Sequence, residues 1–426
     1  MRKMKNSGIS WIGKIPEEWN VIKAKYIFLQ RNERGNKKSL VLLSPTQKYG
    51  VIPQNLYEQK TGMSAVKLNE KTNLTLLKTI HKGDFCISLR SFQGGFEYSE
   101  YEGVVSPAYQ VFFSIINIEN RFYKYLFKDD SFIYKMNSYT MSLRDGKNIA
   151  FSDFGNTKIP FPPLLKQQKI ADFLDYKCSK IDALIENLKA RIEKTKEYKK
   201  AVITEAVTKG LNNDIKLKET DSQFWHEIPE YWQIVDIKYL FEIVKRIAGK
   251  EGYDILSVTQ KGLKVKDISS NEGQIAANYS GYQFVYPTDF VMNHMDLLTG
   301  WVDCSTMFGV TSPDYRVFRL RNKKAYNIRY YTYIMQCCYS NRYFYSLGQG
   351  VSNLGRWRLQ TPSFMNFQIP VPPLEEQKQI AEYLDSKCVD IDILLQNYEN
   401  QITTLEEYKK SLIYEYVTGK KEVPEI

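Results

Sequence analysis

The chain has 426 residues, with 59 Lys+Arg against 48 Asp+Glu, a formal net charge of +11 and 14% aromatic residues. A hydrophobic content of 43% can build real cores, which excludes a wholly disordered chain, and the length suits two or three domains of roughly 100–200 residues each. No run approaches the ~18 consecutive apolar residues of a membrane span, and the charged start Met1 to Asn6 has no apolar stretch behind it, so the chain reads as soluble and unexported.

Taken in order, the chain opens on Ile15-Pro16-Glu17-Glu18-Trp19 and Lys25-Tyr26-Ile27-Phe28. Leu40 to Leu43, Phe85 to Ser88 and Tyr109 to Phe113 read as short buried strands, punctuated by Gly83, Gly94-Gly95 and Pro107. Arg121 to Tyr134 spaces its apolar residues as a helix does. Ile159-Pro160-Phe161-Pro162-Pro163-Leu164 then leads into a long helical pattern ending at Gly210. The order now repeats. Ile228-Pro229-Glu230-Tyr231-Trp232 and Lys238-Tyr239-Leu240-Phe241 echo the opening; strands are expected at Asp254 to Val258, Phe290 to Met292 and Arg316 to Phe318, with a helix near Ile328 to Cys338. Ile369-Pro370-Val371-Pro372-Pro373-Leu374 starts a second long helix that ends at Gly419. Aligned without gaps, residues 159–208 and 369–418 are identical at 25 of 50 positions, far beyond chance.

The long segments carry a heptad seam: Leu174, Cys178, Ile181, Ile185, Leu188, Ile192, Thr195, Lys199, Val202 and Ala206 in the first, and Leu384, Cys388, Ile391, Leu395, Tyr398, Ile402, Leu405, Lys409, Leu412 and Tyr416 in the second. Cysteines on the seam favour burial over reactivity, and the seam lysines are expected to snorkel or to mark fraying. Proline pairs suit the first turn and the glycines the ends. Residues 159–210 carry a net +4 and residues 369–426 a net −6, so the two helices are matched to pair with each other. The fold class is therefore α/β (mixed α+β) globular domains in two copies, joined by two long α-helices forming an antiparallel coiled coil. The domain boundaries are 1–158, 159–210, 211–368 and 369–426, alternating globular part and helical spacer.

Residues 1–158 concentrate a net charge of +10, which points to a polyanion. Loops between strands offer Arg for guanine, Asn or Gln for adenine, and Lys for phosphate. The candidate DNA-binding residues are Arg90 and Gln93 in one loop, Ser142, Arg144, Lys147 and Asn148 in a second, Asn293 in a third, and Gln349, Ser352, Asn353, Arg356 and Arg358 in a fourth, where glycines would let the backbone approach closely. Tyr330-Tyr331-Thr332-Tyr333 suits core packing better than base stacking, and His294 beside Asp296 lacks a nucleophile motif. Six cysteines without a CxxC pair and three histidines argue against a disulfide framework or a metal site. No phosphate loop, GxGxxG loop or Asn/Asp-Pro-Pro-aromatic methyltransferase loop is present, so no catalytic residue, cofactor or metal is assigned.

With these residues in view the chain resembles the specificity subunit of type I restriction-modification systems, on the paired Ile-Pro-Glu-x-Trp motifs and the paired Ile-Pro-x-Pro-Pro-Leu segments running into Gln-x-x-Ile-Ala-x-x-Leu-Asp. The resemblance spans almost the whole chain. It implies two target recognition domains reading the halves of a bipartite, asymmetric double-stranded DNA site, with the helices setting the gap and docking DNA adenine methyltransferase subunits, two of them, joined by restriction motor-nuclease subunits. Methylation, ATP hydrolysis and cleavage would then lie on those partners, in the cytoplasm. The alternative is the DNA-recognition part of another restriction or methyltransferase enzyme.

Overall fold

The computed structural model describes residues 2–35, 41–63, 76–87, 95–139, 149–212, 214–267, 278–350 and 357–424. The chain forms two compact units: residues 1–188 with 399–426, and residues 189–398. Each takes one globular part and half of each long helix, so each is described by itself.

In the first unit, an antiparallel four-stranded sheet runs in the order Phe28–Arg31, Gln110–Ser114, Phe85–Ile87, Phe96–Tyr98. Its buried face is a phenylalanine cluster: the Phe85 and Phe112 rings stack at 5.3 Å, and Phe28 meets Phe85 edge-on at 5.6 Å. The second unit repeats that order with Phe241–Val244, Arg316–Leu320, Phe290–Met292 and Val302–Cys304. There Phe290 stacks on Phe318 at 5.3 Å and Phe241 meets Phe290 edge-on at 5.4 Å. The divergent sequences therefore keep one core geometry.

Three local readings change. The buried strand expected over 40–43 instead runs Leu43–Thr46, paired with Gly50–Pro53, and Val41 is exposed. The segment expected as one helix over 121–134 is two, Asn120–Leu126 and Asp130–Asn137, because the Asp129 side chain accepts from the N–H groups of Ser131 and Phe132 and starts a new helix. The outer strands of both sheets went unread, being three or four residues long with weak alternation. The tyrosine-rich segment lies in the helix Ile328–Ser340, begun by Asn327 capping Tyr330, and Tyr330 and Tyr331 are fully buried in the core.

The long helices are Leu164–Lys209 and Leu374–Val417, each beginning directly after its proline pair. Cys178, Ile181 and Ile185 of the first pack with Leu412, Ile413 and Tyr416 of the second inside the first unit, where Phe173 and Tyr416 lie 4.5 Å apart. The lower-numbered residue thus meets the higher-numbered one, which makes the pairing antiparallel. The seam lysines neither snorkel freely nor fray: Lys409 reaches both oxygens of Asp182 at 2.6 and 2.7 Å in the first unit, and Lys199 reaches those of Asp392 at 2.7 and 2.8 Å in the second.

What the retained residues do becomes clear where helix meets sheet domain. Gln167, buried, accepts from the Glu119 N–H at 2.9 Å and donates to the Pro162 carbonyl at 2.8 Å. Gln377 does the same with the Asn327 N–H and the Pro372 carbonyl, both at 2.9 Å. Asp175 accepts from Tyr125 and Arg121 at 2.6 and 2.8 Å, and Asp385 from Tyr333 at 2.7 Å and from Arg329. Gly419 closes its helix in the left-handed region against Pro16 and Trp19, where a Cβ would come within 2.4 Å of the proline ring. These contacts tie the tryptophan motif, the proline motif and the helix into one clamp per unit.

Candidate nucleic-acid interface

Nine of the candidate residues, Arg90, Gln93, Ser142, Arg144, Lys147, Asn148, Ser352, Asn353 and Arg356, lie outside the described residues. Asn293, Gln349 and Arg358 lie within them, and the fold of the second unit gathers them. Asn293 directly follows the strand Phe290–Met292. Gln349 and Arg358 face each other as an antiparallel bridge, their backbones bonded both ways at 2.8 and 3.0 Å, and both side chains are exposed. The segment before Arg358 is joined to the Asn293 segment by Leu297 N–H to the Trp357 carbonyl at 3.2 Å and Leu359 N–H to the His294 carbonyl at 3.0 Å. One edge of the unit thus exposes the Gln349 carboxamide and the Arg358 guanidinium, groups that read adenine and guanine edges, beside a half-buried Asn293 whose Oδ1 accepts from the Met295 N–H at 3.3 Å.

Gly348 has a different reason for being glycine than close approach to a ligand. A Cβ there would lie 2.3 Å from the Trp357 indole, which donates to the Tyr345 carbonyl at 2.7 Å. His294 sits behind this edge. Burial, with Arg316 and Arg358 nearby, pushes its pKa down to about 4, so the ring is neutral, and its Nδ1 has no partner among the described residues. Asp296 caps the turn that follows, accepting from the Leu298 and Thr299 N–H groups at 3.0 Å. Among the described residues no group of three or more His, Cys, Asp or Glu is arranged to hold a metal ion.

Sequence reading missed the residues that hold the loop ends. In the first unit Gln110 donates to the Ile149 carbonyl at 2.7 Å and accepts from the Phe151 N–H at 2.8 Å. At the matching strand position of the second unit, Arg316 donates to the Leu359 carbonyl at 3.0 Å and to the Thr361 hydroxyl at 3.3 Å, its guanidinium lying 4.6 Å over the Phe364 ring. Burial lowers the Arg316 pKa to about 10, and no carboxylate among the described residues pairs with it. The signal was available in the recurring Ser-Pro-x-Tyr-x-Val-Phe pattern, whose variable fifth position these two residues occupy.

A family model, type I restriction modification DNA specificity domain, matches residues 16–194 and again 229–404. The chain belongs to the type I restriction-modification specificity family. Its sequence is 24% identical to the type I restriction enzyme MjaVIII specificity subunit of Methanocaldococcus jannaschii, over 96% of this chain and 94% of that one. It is 25% identical to a second M. jannaschii protein, named as the putative MjaX specificity subunit, over 62% of this chain and 59% of that one. Among solved structures, a chain from a study of complex assembly and conformational transition of the type I R-M system matches with a TM-score of 0.68 at 15% identity, over 96% of this chain and all of that one. The HsdS subunit from Thermoanaerobacter tengcongensis matches at 0.51 and 14% identity, over 96% of this chain and 98% of that one. The likeness to these structures shows the fold, two mixed helix and sheet domains with two long helices. No described helix is long and apolar enough to cross a membrane.

Proposed function

We propose that this specificity-family chain reads a bipartite, asymmetric DNA site, with target recognition domains at residues 1–158 and 211–368 and spacers at 159–210 and 369–426. The observation that supports this best is the contrast within the repeat: strand order, aromatic core and clamp are kept, while the residues suited to base contact differ between copies. A duplicated scaffold with unlike loops reads two unlike half-sites. The paired helices set the unread gap and dock two DNA adenine methyltransferase subunits, and motor-nuclease subunits join that assembly in the cytoplasm. Catalysis belongs to the partners; the chain itself supplies base discrimination.

The test is the methylome of cells carrying this chain with its methyltransferase partner. Modified adenines should fall in two unlike half-sites separated by a fixed gap. A contiguous or symmetric motif would count against two independent readers. Incubated with DNA and labelled S-adenosylmethionine, the purified chain alone should transfer no methyl group.

A further inference from the structure

The second unit holds a cleft of about 650 Å³ where the helix Ile328–Ser340 and the turn at Gln260–Gly262 face the two long helices. Five cations line it, Lys196, Lys199, Lys200, Lys261 and Arg329, against three carboxylates, and all three carboxylates are engaged. Asp392 is held by Lys199 and Asp385 by Arg329 and Tyr333. Asp303 accepts from the Leu263 and Cys304 N–H groups, both at 2.9 Å, and from Gln336 at 3.3 Å. Lys200 and Lys261 are exposed and have no side-chain partner among the described residues, and Lys196 meets only the exposed Glu193.

The same place in the first unit is closer to neutral, although Lys48 keeps a cation at the turn where Lys261 stands, with Glu186 as its electrostatic partner. Lys410, which stands where Lys200 does in the repeat, pairs with Asp130 at 3.0 Å. Lys128 and the buried Glu97, standing where Gln336 and Asp303 do, form an ion pair at 2.7 Å. The helices diverge in the same sense: Lys189, Arg191, Lys194 and Lys196 align with Glu399, Gln401, Thr404 and Glu406, while the seam between them is kept. Trp301, which lines the cleft, accepts on its carbonyl the N–H of Asn293 at 3.0 Å, so the cations adjoin the candidate base-reading edge.

We propose that this cleft binds the phosphodiester backbone of the DNA beside the half-site read by the second domain, an interaction blind to sequence and absent from the first unit. The inference rests on the DNA-reading function proposed above. Unpaired lysines at a solvent-open cleft suit phosphates, whose binding releases counterions and gives a measurable salt dependence.

The test uses the full chain assembled with its methyltransferase subunits, titrated over a salt series on a fluorescein-labelled random-sequence duplex and on a duplex carrying its own site. The combined variant Lys196→Ala, Lys200→Ala, Lys261→Ala should bind both duplexes more weakly. Its log–log salt slope should be shallower by ~0.9 for each phosphate that is no longer neutralised, ~2–3 in all, with the preference between duplexes unchanged. Arginine at the three positions should restore the slope, and an unchanged thermal melt checks folding. An unaltered slope overturns the proposal, as does loss of preference for the cognate duplex. Failure of methyltransferase assembly with DNA binding intact also overturns it, assigning the cleft to an acidic protein surface. If the wild-type assembly binds neither duplex, the DNA-reading function falls and takes this site with it; wild-type binding that the variant matches removes the cleft alone.

Discussion

Gln110 and Arg316 solve the same problem at different electrostatic cost. Each ties the end of a candidate reading loop to a central strand, but Gln110 does so as a neutral donor and acceptor, whereas Arg316 carries a charge into a buried site whose compensation among the described residues is a carbonyl, a hydroxyl, a thioether and an aromatic face. Replacing Gln110 with Leu strands a buried carbonyl and N–H and should destabilise by about 1–3 kcal/mol. The functional readout is selective: Gln110→Leu should weaken discrimination at one half-site and Arg316→Met at the other, measured by methylation of oligonucleotides altered in one half. Loss at both halves from either change would reduce these residues to general stabilisers. His294 gives a pH prediction at the same scale. Its folded pKa near 4 lies below the ordinary value of 6.5, so in the window between them the unfolded chain binds the extra proton. Stability therefore falls as pH drops from about 6.5 toward 4, by up to ~1.4 kcal/mol per unit. The acid-induced fall in melting temperature should be shallower in His294→Asn, and an identical profile would assign the acid sensitivity elsewhere.

At the scale of the element, the clamp contacts and the inter-helix ion pairs differ sharply in weight. Lys199–Asp392 and Lys409–Asp182 join side chains open to solvent, which limits each to about 0.2–1 kcal/mol and makes them register marks more than supports. Gln167 and Gln377 are 1% exposed and each satisfies a backbone donor and acceptor, so Gln167→Leu or Gln377→Leu should cost about 2–4 kcal/mol, well above Asp182→Asn or Asp392→Asn, in thermal or denaturant unfolding. Equal effects would mean that the coil, not the clamp, holds each unit together. Asp385 sharpens the point: burial works to raise its pKa, yet hydrogen bonds from Arg329 and Tyr333 outweigh that and hold it below the usual carboxylate range. The long helices were legible because a seam of Leu, Ile and Cys at heptad spacing, stopped by proline pairs and glycines, has only one low-energy reading. Asp175 and Asp385 were visible as identities in the repeat, but their partners Arg121, Tyr125, Arg329 and Tyr333 were not, because the helices that carry them lie about fifty residues upstream and no local pattern links the two. The short outer strands escaped for a related reason: three residues carry too little alternation to outweigh the loops around them, and only their non-local pairing defines them.

For the whole molecule, the repeat gives each unit a clamp of the same design, and each long helix contributes residues to both units. Leu164–Lys209 runs 46 residues, about 69 Å at ~1.5 Å per residue. In the proposed function that length sets the gap between half-sites. Helical register makes the idea testable without disturbing either reader. Removing seven residues from matched positions of both helices deletes one full heptad, so the Leu, Ile and Cys seam still meets its partner, whereas removing four would rotate the outer face relative to the seam. Seven residues are ~10.5 Å of helix, close to three base pairs where a DNA turn of 10–10.5 pairs spans about 34–36 Å. The shortened chain should therefore support methylation at the same two half-sites with a gap about three base pairs shorter, read by sequencing modified adenines in cells carrying the variant. Unchanged spacing would remove the helices from the role of ruler, and altered half-site sequences would show that the spacers also orient the loops. The outcome is distinguishable from simple unfolding, because a chain that loses its clamps should direct no methylation at all.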